Sequence, residues 1–211
     1  MSTRIVTISH AWGAGGENIG RTVAQSLGFR YVDEEIITIA AEKQGLDTSV
    51  VADVERKKGL LARIIEDLAS APVPDAANVG LLVPEAMMPA RPEDFRALIM
   101  DAIRETAEHG DVVIVAHAAS IPLAGRGDLL RILITGSFDA RVARVAASAQ
   151  GDKAKATKLL KDSDAARADY FKRFYRIERE LPTHYDLVVN TDALALDEAA
   201  AIIVAAARRH A

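Results

Sequence analysis

The sequence predicts an α/β domain whose parallel β-sheet is covered by helices on both faces. Short apolar, β-branched runs alternate with segments of helical periodicity, and such alternation is typical of a parallel sheet. Two runs, at 112–115 and 129–135, are largely apolar, as in strands buried on both faces. A glycine-rich turn over 13–20 follows the first run, and its glycines suit a tight strand-to-helix connection.

The first half of the chain predicts a strand over 4–9 and, after the turn, a helix that begins near Asn18 and ends at Gly28. A second strand over 29–32 ends at Asp33 and leads into another helix. Residues 46–109 are expected to form an inserted, mainly helical region with a proline-rich loop at 72–92. In the second half strands are expected to alternate with helices, with strands over 111–116, 129–135 and 185–190 and helices over 138–149, 152–180 and 196–209.

Composition narrows the class of protein. The chain has 211 residues, 50% of them apolar and 27% charged, which excludes a disordered or low-complexity chain. Its net charge of −4 gives no general attraction to nucleic acid or to an anionic membrane. Cysteine is absent, so disulfides and thiolate chemistry are excluded. Since there is no apolar N-terminal stretch and no run of about 20 apolar residues, we expect a soluble, cytoplasmic protein.

The glycine-rich turn suits the binding of phosphate. The dinucleotide pattern G-x-G-x-x-G fails, because Asn18 stands where its third glycine is required. The phosphate-loop pattern G-x-x-x-x-G-K-[ST] is nearly met by Gly15, Gly20 and Thr22. Arg21 stands at the lysine of that pattern, and its planar fork places phosphate differently.

The turn is therefore expected to hold nucleotide phosphates on its backbone N–H groups and on the N-terminus of the next helix. Arg21 would supply a cation and Thr22 a hydroxyl for magnesium. The alternative interpretation is a glycine-rich connection without a ligand. The expected nucleotide-binding residues in this stretch are Gly13, Ala14, Gly15, Gly16, Gly20, Arg21 and Thr22.

Several stretches in this order resemble the cytidylate kinase-like family of P-loop nucleoside monophosphate kinases. They are 5–9 with 13–20, 29–37, 171–175 and 185–191. The resemblance implies a single three-layer P-loop NTPase-type domain with a five-stranded parallel sheet of order 2-3-1-4-5. Its core would comprise 1–45 and 110–211, its monophosphate-binding region 46–109 and its helical lid 150–182.

The activity that this resemblance implies is transfer of the ATP γ-phosphoryl group to a nucleoside monophosphate, with Mg²⁺. Such a reaction needs charge neutralisation and alignment more than covalent chemistry. The implied partners are small-molecule nucleotides, with no nucleic acid and no membrane, and the implied state is a monomer or homodimer.

The resemblance also implies roles for polar residues in the second half. Arg141 would pack on the adenine and Arg144 would reach phosphate, on one helix face because they are three residues apart. Arg167 would clamp the transferring phosphoryl group, and Asp164 would orient an arginine or the substrate. From spacing alone, the first pair also fits a solvated helix edge and the second a surface ion pair.

Asp33 and His117 are the candidate substrate contacts. Asp33 ends the second strand at the ligand-binding edge of the sheet, although it can also cap the next helix. His117, after Ala116, stands where the family usually has an arginine, and histidine is mostly neutral at pH 7. Together with Arg21 at the lysine position, this departure supports a second hypothesis: a catalytically impaired, nucleotide-binding regulatory protein on the same fold.

Overall fold

The computed structural model describes residues 2–33, 35–42, 92–116, 118–148 and 152–209. Their strands form one five-stranded parallel sheet of order β2-β3-β1-β4-β5, with helices on both faces. The predicted three-layer fold and strand order are therefore confirmed. Residues 46–91 of the predicted insertion, most of the proline-rich loop among them, lie outside the described residues, as does His117.

The strands, numbered within the described part of the chain, are β1 (Ile5–His10), β2 (Arg30–Val32), β3 (Val112–Val115), β4 (Leu129–Thr135) and β5 (Leu187–Asn190). The helices are α1 (Gly16–Leu27), α2 (Glu35–Glu42), α3 (Pro92–Glu108), α4 (Phe138–Ser148), α5 (Lys153–Tyr175) and α6 (Leu196–Arg209). A short 3₁₀ helix covers Pro182–His184.

Side-chain alternation along β1 divides the core between the two faces of the sheet. Ile5 packs with α2, α3 and the end of α5, whereas Val6 and Ile8 pack with α1 and α6. The same alternation sends the next two polar side chains, Ser9 and His10, to opposite faces at the carboxyl end of the strand. Ser9 accordingly contacts α5, and His10 contacts the start of α1.

The structure corrects two expectations about the connections. No helix separates β3 from β4: the described residues between them form consecutive turns over 118–125. The helix expected over 152–180 ends at Tyr175, where Arg176 adopts a left-handed conformation with φ 57°. Because the chain leaves the helix there, Glu180 lies in a non-helical connection before the 3₁₀ helix.

None of the described helices combines the length and the apolar character that crossing a membrane would require.

Candidate functional site

The turn between β1 and α1 presents unpaired backbone N–H groups. Gly13 and Gly15 have φ of 80° and 84°, a left-handed backbone that glycine adopts without strain. Among the described residues, the amides of Gly13 and of residues 15–18 have no hydrogen-bond acceptor, and Gly15 caps α1 without a side-chain bond. Free amides at a helix N-terminus, combined with the positive end of the helix dipole, form a binding site for an anion.

Close packing keeps side chains out of this turn. A Cβ on Gly15 would lie 2.6 Å from Cδ2 of Leu196, and one on Gly16 would lie 2.3 Å from Cγ of His10. Space therefore requires glycine at 16, and at 15 the left-handed backbone with φ 84° favours it. The turn can approach a ligand with its bare backbone.

A cavity of 440 Å³ opens beside the turn. Its walls combine the glycine backbone with the first turn of α1, one face of α4 and the start of α6. The side chains on these walls belong to His10, Trp12, Glu17, Asn18, Arg144, Val145 and Leu196. This volume falls within the range of small-molecule sites, about 300–1,000 Å³. The cavity thus combines an anion-binding backbone with the apolar side chains of Val145 and Leu196, which lie against the same turn.

Gly20, Arg21 and Thr22 do not lie at the turn, because α1 begins at Gly16 and they occupy its second turn. The Arg21 guanidinium stacks on the Tyr31 ring at 4.3 Å. The exposed Thr22 hydroxyl donates to the Asn18 carbonyl at 3.0 Å. Neither Arg21 nor Thr22 lines the cavity beside the turn, and their roles as phosphate cation and magnesium ligand stay predictions.

Gly20, in the second half of the apparent phosphate-loop pattern, is explained by packing. A Cβ on Gly20 would lie 2.6 Å from Cγ2 of Val115, so this glycine lets α1 approach the sheet. The helix start is fixed by the backbone at 15 and 16, which the pattern treats as part of the loop.

Arg141 and Arg144 both reach the turn from α4, as their spacing predicts. Arg144 Nη1 donates to the Gly13 carbonyl at 3.2 Å and to Thr191 Oγ1 at 3.1 Å, and this side chain lines the cavity. Arg141 is only 6% exposed and donates to the Trp12 carbonyl at 3.1 Å. Of these two arginines, Arg144 lines the cavity, and its guanidinium also lies 3.9 Å from the Asp192 carboxylate.

Asp164 and Arg167 do not pair with each other. The Asp164 carboxylate accepts two bonds from Arg141, at 2.7 and 2.8 Å, so it does orient an arginine. Arg167 donates to the two Glu180 oxygens at 2.7 and 2.9 Å and to Ser9 Oγ at 2.6 Å. The interpretation as a surface ion pair within one helix is wrong, because each residue has its partner on another segment.

Sequence reasoning missed the cluster of Ser9, Glu180 and Tyr185 around Arg167. The Tyr185 hydroxyl donates to Glu180, and its oxygen lies 3.1 Å from Ser9 Oγ. Burial, together with the negative charge of Glu180, raises the pKa of Tyr185 well above its ordinary value. The sequence did not identify Glu180, because this residue fell inside a predicted helix. Tyr185 could have been found, because it begins a stretch on which the family resemblance rests.

Asp33 lies just beyond β2, at the carboxyl edge of the sheet, and accepts from the Tyr31 hydroxyl at 3.2 Å. Its contact with a substrate stays a prediction. Within the described ranges, no group of three or more His, Asp or Glu side chains could hold a metal ion.

We predict an acid-sensitive contribution of His10 to stability. Burial lowers the pKa of His10 below its ordinary 6.5, and Nδ1 donates to the Ala11 carbonyl at 3.3 Å. Below pH 6.5 the unfolded chain binds a proton that the folded site resists, so stability falls as the pH drops. The unfolding free energy of the wild type, measured in urea at pH 7 and pH 5, should fall more than that of His10→Gln. Equal losses in the two proteins would contradict this prediction.

The parallel sheet, the glycine turn and the helix that follows it define a P-loop kinase-type α/β protein. The model of the Cytidylate kinase-like family matches residues 5–193. The chain belongs to this family.

Comparison with a solved structure supports the fold. An uncharacterized protein from Eubacterium ventriosum ATCC 27560 is similar over 96% of this chain and 97% of its own, with a TM-score of 0.67 and 17% identity. Shikimate kinase from Acinetobacter baumannii matches over 96% of this chain and 91% of its own, with a TM-score of 0.49 and 12% identity. At these identities the likeness concerns the fold alone. Among curated proteins, none matches this sequence.

Proposed function

We propose that this protein transfers the γ-phosphoryl group of ATP to a nucleoside monophosphate. The observation that carries the proposal is the row of free amides at the β1–α1 turn, which borders a 440 Å³ cavity. The triphosphate would lie on those amides, where the helix dipole adds to their attraction. The base would lie against Val145 and Leu196, whose apolar side chains line the cavity beside the turn.

Arg144 is the residue that we propose to neutralise charge on the phosphates. It lines the cavity, and its bonds to the Gly13 carbonyl and to Thr191 fix the guanidinium against the turn. Donors fixed before the reaction stabilise developing charge without reorganising. The acceptor monophosphate would enter from the β2 side, where Asp33 lies and where His117 follows β3 in the sequence.

Magnesium, when bound with ATP, supplies charge neutralisation on the phosphate oxygens. Glu17 is the carboxylate on the cavity wall and is the residue that would face this ion or one of its waters. Thr22 does not line this cavity, because its side chain lies on the second turn of α1.

One observation favours a second candidate function, a nucleotide-responsive regulatory protein with little or no turnover. The buried Arg141 and the partly buried Arg167 are each engaged by a carboxylate at two oxygens. A paired arginine has less charge to offer a transferring phosphoryl group. Both candidates require nucleotide binding at the turn, so turnover separates them.

The test is ADP release in a coupled assay with ATP, Mg²⁺ and each of CMP, dCMP, UMP and AMP. We expect turnover with at least one acceptor, and we expect Arg144→Ala to lower kcat by roughly 10²–10³-fold, as for the loss of one preorganised donor. The matched control is Arg4→Ala, whose exposed pair with Asp111 lies at the amino end of β1, at the opposite edge of the sheet from the turn. ATP binding without turnover would support the regulator, and the absence of both would reject the two candidates.

A further inference from the structure

Glu180 and Ser9 together occupy the donors of Arg167 that bidentate binding of a phosphate would need. A guanidinium offers five N–H groups, and bidentate binding of an oxyanion uses two neighbouring ones. The edge formed by Nε and Nη2 is taken by the Glu180 carboxylate, at 2.7 and 2.9 Å. The other Nη2 bond, at 2.6 Å, goes to Ser9 Oγ and removes a donor from the opposite edge. A bidentate grip on phosphate therefore requires Arg167 to release one of these partners.

We propose that Glu180 is a positioning residue that restrains Arg167 until an anionic phosphoryl group displaces it, and that Tyr185 then holds the released carboxylate. The inference rests on the proposed function for the nature of the displacing anion, a nucleotide phosphate. It assigns roles to two residues that neither the glycine turn nor the phosphate-binding arginines account for.

The restrained pair faces a cavity of 310 Å³. Arg167 and Glu180 form part of its wall, with the Arg141–Asp164 pair and the backbone at 133–136. This volume is at the lower end of small-molecule sites, about 300–1,000 Å³, and is ample for a phosphoryl group. A phosphate entering here would meet the Arg167 cation and would be repelled by the Glu180 carboxylate.

The two partners are held differently by the backbone. Arg167 lies within α5, where the helical hydrogen-bond ladder fixes its backbone. Glu180 lies between the left-handed Arg176 and the 3₁₀ helix at Pro182–His184, outside any helix or strand. The carboxylate is thus the partner that can change position at the lower cost in backbone hydrogen bonds.

Tyr185 reduces the cost of separating the pair. Its side chain is 7% exposed, and its hydroxyl donates to Glu180. A carboxylate that lost Arg167 without another donor would be a poorly solvated charge, which is strongly unfavourable. Because the phenol stays bonded to it, the released Glu180 retains a hydrogen-bond donor. Tyr185 therefore favours the exchange in which Arg167 leaves the Glu180 carboxylate and binds the phosphate.

The experiment compares Glu180→Gln and Tyr185→Phe with the wild type by calorimetric titration with ATP and with inorganic tripolyphosphate, at one fixed salt concentration. Glutamine keeps the shape and removes the charge, so we expect Kd for both probes to fall about tenfold. Loss of the phenol should raise Kd several-fold, a change in the opposite direction. Asp128→Asn is the matched control, because Asp128 holds Arg126 in a similar bidentate pair, at 2.9 and 3.0 Å, away from the cavity.

A rise in Kd for Glu180→Gln would overturn the proposal, since it would mean that Glu180 orients Arg167 toward phosphate. An unchanged Kd, or no binding by any of these proteins, would overturn it as well. If the glutamine variant fails to fold, Glu180→Asp, which shortens the reach of the carboxylate, is expected to tighten binding by a smaller factor.

ADP release, measured on the same proteins, separates this proposal from the proposed function. Turnover by the wild type with an unchanged Kd in Glu180→Gln would reject the restraint alone. Tighter binding by Glu180→Gln without turnover by any variant would reject the kinase and leave the restraint standing.

Discussion

Replacement of Gly16 by alanine should lower the affinity for ATP at least about 100-fold, the effect of losing roughly 3 kcal/mol of binding free energy. Helix propensity alone would predict a small gain in the stability of α1, because alanine is a better helix former than glycine by about 1 kcal/mol. Steric contact decides the sign: the new Cβ would lie 2.3 Å from Cγ and 2.5 Å from Cβ of His10. These two atoms belong to the part of the His10 side chain nearest the backbone. The backbone of the turn must therefore shift, which moves its amides away from the anion. Calorimetric titration with ATP measures the loss.

Gly28→Ala is the matched control for this variant. Gly28 also borders α1, at its C-terminal end, with φ 71°, and a Cβ there would meet nothing within 4 Å. We expect a cost of about 1–2 kcal/mol in unfolding free energy, from the left-handed backbone, and no change in ATP affinity. If the two alanine variants bind ATP equally well, the turn does not carry the nucleotide.

Removal of the Asp164 carboxylate should strongly reduce the free energy of unfolding. Asp164→Ala leaves the Arg141 guanidinium, 6% exposed, without a counter-ion, and the Nε of this arginine already lacks a partner among the described residues. Losing one partner of a buried pair typically costs 3–5 kcal/mol, and partial exposure of Asp164 reduces this to about 2–3 kcal/mol. Urea denaturation gives the unfolding free energy directly.

Two comparisons test the reason for that loss. Asp101→Ala removes an exposed partner of Arg104 and should cost at most about 1 kcal/mol. Arg141→Met added to Asp164→Ala removes the unpaired charge and should restore much of the stability, because an apolar side chain tolerates the same burial. Asp164→Ala and Asp101→Ala variants of equal stability would show that the buried pair contributes little.

The sequence was sufficient for most of the fold because hydrophobic periodicity is a local property. The β-branched run at 5–8 and the apolar run at 112–115 predicted strands of a parallel sheet, and Gly28 predicted a helix end. The strand order came from the family resemblance, and the structure confirms it. The sequence did not predict the end of α5, because the charged residues over 176–180 have a composition typical of a helix. In the structure the helix ends at Tyr175, and Arg176 adopts a left-handed conformation.

What the sequence determined by itself was that a glycine-rich turn joins a buried strand to a helix and that Arg141 and Arg144 share a face. What only the tertiary structure decided was which residues meet there. It placed Arg21 and Thr22 on the second turn of α1 and joined Ser9, Arg167 and Glu180 across segments 13 to 171 positions apart. The physical reason is that propensity and periodicity act between near neighbours, whereas ion pairs depend on side-chain direction and packing between distant segments.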